Sequence, residues 1–157
     1  MRILRWVGIA VVLIAAVGVL ARFHDGPLGP FPGGRLSGTP VTDASPDWSA
    51  VLKGASHLEL EVNPASPRSV TTSFAVQGGV LYVPSLFAAR KEWPQQVVAD
   101  GRVVLRVDGN LYPRRAVRVT DPAELRDVMR AFGRDDKEPA EAGAQSTWYF
   151  RMDAPAT

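Results

Sequence analysis

Two glycine turns frame the chain. Gln77-Gly78-Gly79 separates a Thr- and Val-rich stretch, residues 69–76, from residues 80–83. Asp108-Gly109-Asn110 separates residues 102–107 from residues 111–120. Tight turns of this kind between β-branched runs are strong local signals for β-hairpins. A further segment, HLELEV at residues 57–62, alternates strictly, with Leu58, Leu60 and Val62 on one side and His57, Glu59 and Glu61 on the other. That is the pattern of a strand with one buried face. Pro113 within residues 111–120 implies a bulge or an edge.

Helices enter between and after the hairpins. PQQVVAD, residues 94–100, reads as a short helix with Pro94 in its first turn and Gly101 closing it. A clearer helix starts at Asp121. Asp121 caps, Pro122 takes the first position and Glu124 is placed to close a capping box. Leu125, Val128, Met129 and Phe132 then follow at i, i+3, i+4 and i+7, and Gly133 ends the helix. Residues 46–52 suit a helical turn capped by Ser45 or Asp47. Residues 134–145 read as a polar connection, STWYFRM at 146–152 as a last aromatic strand, and residues 154–157 as a frayed tail. The expected fold is mainly β (α+β): an antiparallel, six-stranded barrel over residues 45–153 with two short helices.

A different segment precedes this domain. WVGIAVVLIAAVGVLA, residues 6–21, holds no charge. As a helix it spans roughly 24 Å at 1.5 Å per residue, near the lower limit for a bilayer core. Arg2 and Arg5 precede it and Arg22 follows. Residues 1–23 are therefore expected to be one N-terminal transmembrane helix, a single-pass anchor placing residues 6–21 in the lipid bilayer. The arginines orient it with the N-terminus cytoplasmic and the domain extracytoplasmic. Val19 and Ala21 also form a small-x-small pattern that would suit a cleaved signal. Residues 24–44 contain GPLGPFPGGRLSGTP and read as a Gly/Pro-rich linker, whose Leu28, Phe31 and Leu36 can pack on the domain. Gly33-Gly34 is no phosphate loop, because no Lys-Ser/Thr closes it.

Composition removes several chemistries. There is no cysteine, so disulfides, thiolate metal sites and cysteine nucleophiles drop out, and His24 and His57 are too few for a multi-histidine metal site. Three of the 18 basic residues, Arg2, Arg5 and Arg22, flank the apolar run, and the other 15 nearly match the 16 Asp and Glu. A domain so balanced gives nucleic acid no electrostatic footing.

SVTTSFAVQGGVLYVPS (residues 69–85) and KEWPQQVVADGRVVLRVDGNLYPRRAVRVTD (residues 91–121) carry a resemblance. Together they resemble the FMN-binding split β-barrel superfamily, the pyridoxamine-phosphate-oxidase-like proteins, and are similar to its deazaflavin-dependent nitroreductase branch. The resemblance implies a homodimer with the ring of FMN or a deazaflavin in the groove between subunits. It implies phosphate contacts from Thr71 and Ser73 on the second strand and from Ser85, Arg90 and Lys91 after the third, with Trp93 against the ring or lining the groove. No catalytic acid, base or nucleophile is then asked of the protein, since the cofactor carries the hydride chemistry. The implied function is a membrane-anchored flavin- or deazaflavin-binding oxidoreductase-like protein. The alternative is an envelope scaffold or binding protein that keeps the barrel without a cofactor. The apolar N-terminal segment departs from the soluble members of the superfamily.

Other residues have plainer readings. His57 beside Glu59 lacks the G-x-S-x-G turn of a hydrolase. Glu59 and Glu61 read as exposed charges guarding an edge strand. Tyr112, Arg114 and Arg118 share a strand face that could form an anion patch. Trp148, Tyr149 and Phe150 alternate, so one aromatic side is buried and the other could form a dimer surface; core packing is the plainer reading. Trp93 can simply anchor the short helix to the barrel.

Overall fold

Both glycine turns form hairpins. The structure, a computed structural model, describes residues 2–134 and 146–155, with side chains from residue 6 onward. Most of the polar connection, the last two residues of the tail and the side chains of Arg2 and Arg5 lie outside the described residues. The elements run α1 (Arg2–Ala21), β1 (Thr39–Pro40), α2 (Trp48–Val51), β2 (Leu58–Val62), β3 (Arg68–Thr72), β4 (Ala75–Gln77) and β5 (Val80–Ser85), then a 3-10 turn (Ala88–Arg90), α3 (Glu92–Ala99), β6 (Arg102–Val107), β7 (Asn110–Arg118), α4 (Pro122–Ala131) and β8 (Trp148–Asp153). Gly78, Gly79, Asp108 and Gly109 all take positive φ, as such tight turns require.

The strand order is β3-β2-β6-β7-β8-β5-β4, antiparallel throughout, with β1 added in parallel to β7. β3 and β4 stand at opposite ends of that order, yet only Ser73 and Phe74 separate them. Chain advances at most about 3.6 Å per residue, so the two ends must meet and the sheet is rolled into a split barrel. The Thr72 hydroxyl crosses this seam, donating to the Pro84 carbonyl of β5 at 3.3 Å. The single strand expected over residues 69–76 is therefore broken, and the expected six strands become an eight-stranded sheet that includes β1. The cause is closure. One segment leaves β2 and joins β5, and no glycine or proline marks the place. β5 also runs through Pro84 and Ser85, two residues beyond the strand expected over residues 80–83. β4 pairs no further than Tyr82, so the missing N–H of Pro84 faces no β4 partner.

Two apolar clusters result. The barrel core gathers Leu58, Leu60, Val62, Leu81, Val83, Val103, Leu105 and Phe150, closed by Trp48 of α2 and by Trp93 and Val97 of α3. Outside it, Val128 and Met129 of α4 pack on Tyr82, Val119 and Tyr149. Both faces of β8 are thus covered, and Tyr149 and Phe150 are 1% and 0% exposed. Core packing, the plainer of the two readings, is what Tyr149 and Phe150 do. Asp47 and Asp121 cap α2 and α4, each accepting from two backbone N–H groups. The capping box does not form. Glu124 instead accepts from the Tyr82 hydroxyl at 3.1 Å and from Arg151 at 3.0 Å.

β2 is interior, paired to β3 and β6, so Glu59 and Glu61 guard no edge. Buried Glu61 accepts from the Leu36 N–H at 2.6 Å, and Glu59 pairs with Arg106. Both contacts serve the stretch read as a linker, which lies on the barrel as a strap. Gly33 bridges Ser69 and Leu36 is buried. Asp25 accepts from the Ser37 N–H and pairs with Arg106 at 2.6 Å. A Cβ on Gly33 would strike the Gly26 carbonyl and one on Gly34 the Arg22 carbonyl, so the glycine pair lets the strap fold back on itself. Among the described residues no helix is long and apolar enough to cross a membrane. From Trp6 on, α1 exposes an apolar surface that includes Val12, Leu13, Ile14 and Leu20.

Candidate functional site

β3, the strap and the N-terminal end of α3 enclose a cavity of about 450 Å3. The strap contributes Pro27, Pro30, Phe31 and Pro32; the barrel side contributes Arg68, Val70, Thr71, Lys91, Glu92, Trp93 and Gln96. A second cavity of about 220 Å3 adjoins it, sharing Thr71, Lys91 and Trp93 and adding His57, Thr72, Ser73, Pro84 and Leu86. Small-molecule pockets commonly run from about 300 to 1,000 Å3, so the pair has the size of a ligand site.

Four of the six residues singled out in the sequence converge here. Thr71, exposed, and Ser73, half-buried, present hydroxyls. Lys91 is exposed at the N-cap position of α3, where no side chain caps the free N–H groups. Its charge and the helix dipole act in the same sense on an anion. Among the described residues no ion-pair partner engages Lys91 or Arg68. Trp93 forms a wall with its indole, 8% exposed, while its ring packs 5.6 Å from Phe150. It therefore anchors α3 and lines both cavities.

The other two do not join them. Ser85 is 1% exposed, and its hydroxyl has no hydrogen-bond partner. Arg90 ends the 3-10 turn, exposed, and lines neither cavity. Phe87, just before that turn, is left-handed at φ 55°, so the loop reverses sharply and carries Arg90 away. The imagined anion patch on β7 is also dismantled. Arg114 is 3% exposed, lies over Trp48 and donates to the carbonyls of Asp43 and Pro113; Arg118 stacks on Trp148 at 3.8 Å. Such cation–π contacts spend these charges on packing. His57 meets the Ser56 hydroxyl at 2.9 Å, at the rim of the smaller cavity.

Arg68, Gln96 and the strap prolines were not legible as site residues. Only the apolar Phe31 hinted that the strap packs, and its wall position depends on the Gly33–Ser69 bridge.

With the barrel, its seam and its cavities in place, the fold is a split β-barrel, and solved structures of low sequence identity share it. A protein from Bacteroides thetaiotaomicron assigned to 5-nitroimidazole antibiotic resistance shares it at TM-score 0.51 and 11% identity, over 69% of this chain and 78% of that one. A FAD-binding protein from Mesorhizobium loti aligns at TM-score 0.47 and 18% identity, over 69% and 87% of the two chains. One from Listeria innocua assigned as a pyridoxamine 5'-phosphate oxidase aligns at 0.48 and 15%, over 68% and 90%. No protein-family model matches the chain, and no curated protein matches it in sequence.

Proposed function

We propose that the chain is a membrane-anchored, flavin- or deazaflavin-binding oxidoreductase-like protein. The carrying observation is the convergence of Thr71, Ser73, Lys91 and Trp93 on adjoining cavities of a split barrel. These residues fit such a cofactor. Two hydroxyls and a cation with no ion-pair partner suit phosphate oxygens through charge-assisted hydrogen bonds, and an indole wall suits a flat ring. A flavin, when bound, supplies the hydride chemistry. The protein's part is to hold phosphate at Thr71, Ser73 and Lys91 and to keep water from the ring with Trp93. Ser85 and Arg90 are not part of this reading.

The anchor is α1. Among the described residues most of its apolar side chains from Trp6 to Leu20 stand exposed, and a bilayer would cover them. Arg2 and Arg5 favour a cytoplasmic N-terminus and an extracytoplasmic domain. A homodimer, with the groove completed by a second copy, belongs to the same reading.

The test is a titration of the full chain in mild detergent with FMN and with a deazaflavin, following absorbance and fluorescence. Micromolar binding that Lys91→Ala weakens about tenfold is expected, and Arg90→Ala should leave it unchanged. A folded protein that binds neither cofactor would transfer the site to the alternative, a barrel used as a binding scaffold. The outward position of Arg90 is the observation that favours this alternative.

A further inference from the structure

The larger cavity has one wall that the barrel does not make. Pro27, Pro30, Phe31 and Pro32 belong to the strap, which meets α1 at Phe31. The Phe31 ring lies 3.8 Å from the place where a Cβ on Gly18 would stand, three residues before α1 ends at Ala21. At 1.5 Å per residue, Gly18 is only about 4.5 Å along the axis from the helix end. A cavity whose wall rests there lies at the level where the anchor helix leaves the bilayer. The surrounding surface agrees. Phe23 is 83% exposed and Leu28 37%. Arg22 donates to the Ser66 hydroxyl, close in the chain to Arg68 on the cavity's rim. Cations beside exposed apolar rings suit the headgroup region.

We propose that this cavity takes an acidic phospholipid from the leaflet into which α1 runs. The phosphate sits at Arg68, and the start of one acyl chain lies between Pro30, Phe31 and the Trp93 indole. The choice rests on charge and continuity. Arg68 has no ion-pair partner among the described residues, whereas Glu92, the one acid of the lining, stands in the first turn of α3. The apolar strap wall continues into α1, so a lipid reaches the site without its chain crossing water. The proposal rests on the anchor of the reading above; lipid and cofactor would both meet Thr71, Lys91 and Trp93, and Arg68, which lines the larger cavity alone, is the residue that tells them apart.

Brominated acyl chains quench tryptophan on contact, and Trp93 is the built-in reporter. The full chain would be placed in vesicles as the Trp6→Phe variant, which removes the indole of α1. Quenching by brominated phosphatidylglycerol is compared with that by brominated phosphatidylcholine at equal mole fraction. At least twofold more quenching by the acidic lipid is expected. Arg68→Glu should abolish the excess, Arg68→Lys should keep it, and Trp93→Phe should remove it with the reporter. Equal quenching by the two lipids would overturn the proposal, as would an excess that survives Arg68→Glu or Trp93→Phe. Displacement of the excess by millimolar inorganic phosphate would assign the site to a free anion instead. Flotation of the same samples separates the readings: protein that fails to float overturns the anchor and this site with it. Protein that floats without the excess overturns this site alone. The flavin titration, repeated in detergent with Arg68→Glu, separates the two ligands: cofactor affinity held at Thr71, Ser73 and Lys91 should not change.

Discussion

Ser85 shows how one residue's role turns on its surroundings. As a hydroxyl after a strand it resembled a phosphate ligand. In the barrel it closes β5 opposite Trp148, sealed and without a hydrogen-bond partner. A buried polar group left unpaired costs free energy. Ser85→Ala is therefore expected to raise stability by about 1 kcal/mol in urea unfolding while leaving cofactor affinity unchanged. A drop in affinity would return Ser85 to the site. Glu59, Glu61 and Arg114 make the converse point. Their alternation with apolar neighbours was plain, but their partners, Arg106 for Glu59, Leu36 of the strap for Glu61 and Trp48 for Arg114, come from remote parts of the chain. No local pattern encodes such pairings.

At the scale of elements, α4 and the strap are each held to the sheet by a small polar network. Tyr82, Glu124, Arg151 and Asp153 join α4 to β5 and β8. Burial, and then the hydrogen bond to Glu124, push the Tyr82 phenol up to about 12. Its folded value lies above its unfolded one, so this stabilisation is complete below about pH 10 and is lost as pH rises toward 12. Tyr82→Phe should cost about 1.5 to 3 kcal/mol at neutral pH, the worth of a hydrogen bond to a charged group. It should also flatten the alkaline limb of a thermal-unfolding profile. In the strap, the Ser37 N–H and then Arg106 hold the Asp25 carboxyl below its ordinary range, against the cost of burial. A depressed acid stabilises above its unfolded value and loses that effect as pH falls through the folded one. Hydrogen exchange at the strap amides, corrected for intrinsic rate, should accelerate below about pH 4. Asp25→Asn should exchange faster at neutral pH and show no such acid step. An unchanged Asp25→Asn profile would mean that Glu61 and the Gly33–Ser69 bridge hold the strap without it.

For the whole molecule, the joint between α1 and the barrel is the feature to test. A helix apolar on every side needs a partner of the same character. The full chain is expected to float with phosphatidylcholine vesicles and to resist carbonate extraction. Val12→Lys places a charge midway along the run, at a cost of about 2.5 to 3.5 kcal/mol for a helix at the bilayer centre, and should release much of the protein to the soluble fraction. Wild-type protein that stays soluble would remove the anchor. Unchanged flotation of Val12→Lys would place the attachment elsewhere.

The sequence by itself determined what depends on neighbours along the chain. Hairpin turns at Gly78-Gly79 and Gly109, the alternation of β2, the caps Asp47 and Asp121 and the apolar face of α4 all follow from φ preferences, side-chain period and short-range hydrogen bonds. So did the grouping of Thr71, Ser73, Lys91 and Trp93 as candidates, through resemblance along two stretches. Tertiary structure alone decided what depends on closure. The break at Ser73 and Phe74 exists because a sheet rolled into a barrel must hand one segment from β2 to β5. Burial of Glu61 and the strap wall of the larger cavity are decided by contacts of Leu36 with Glu61 and of Gly33 with Ser69. These contacts join residues dozens of positions apart, and their geometry is set by how the whole sheet curves.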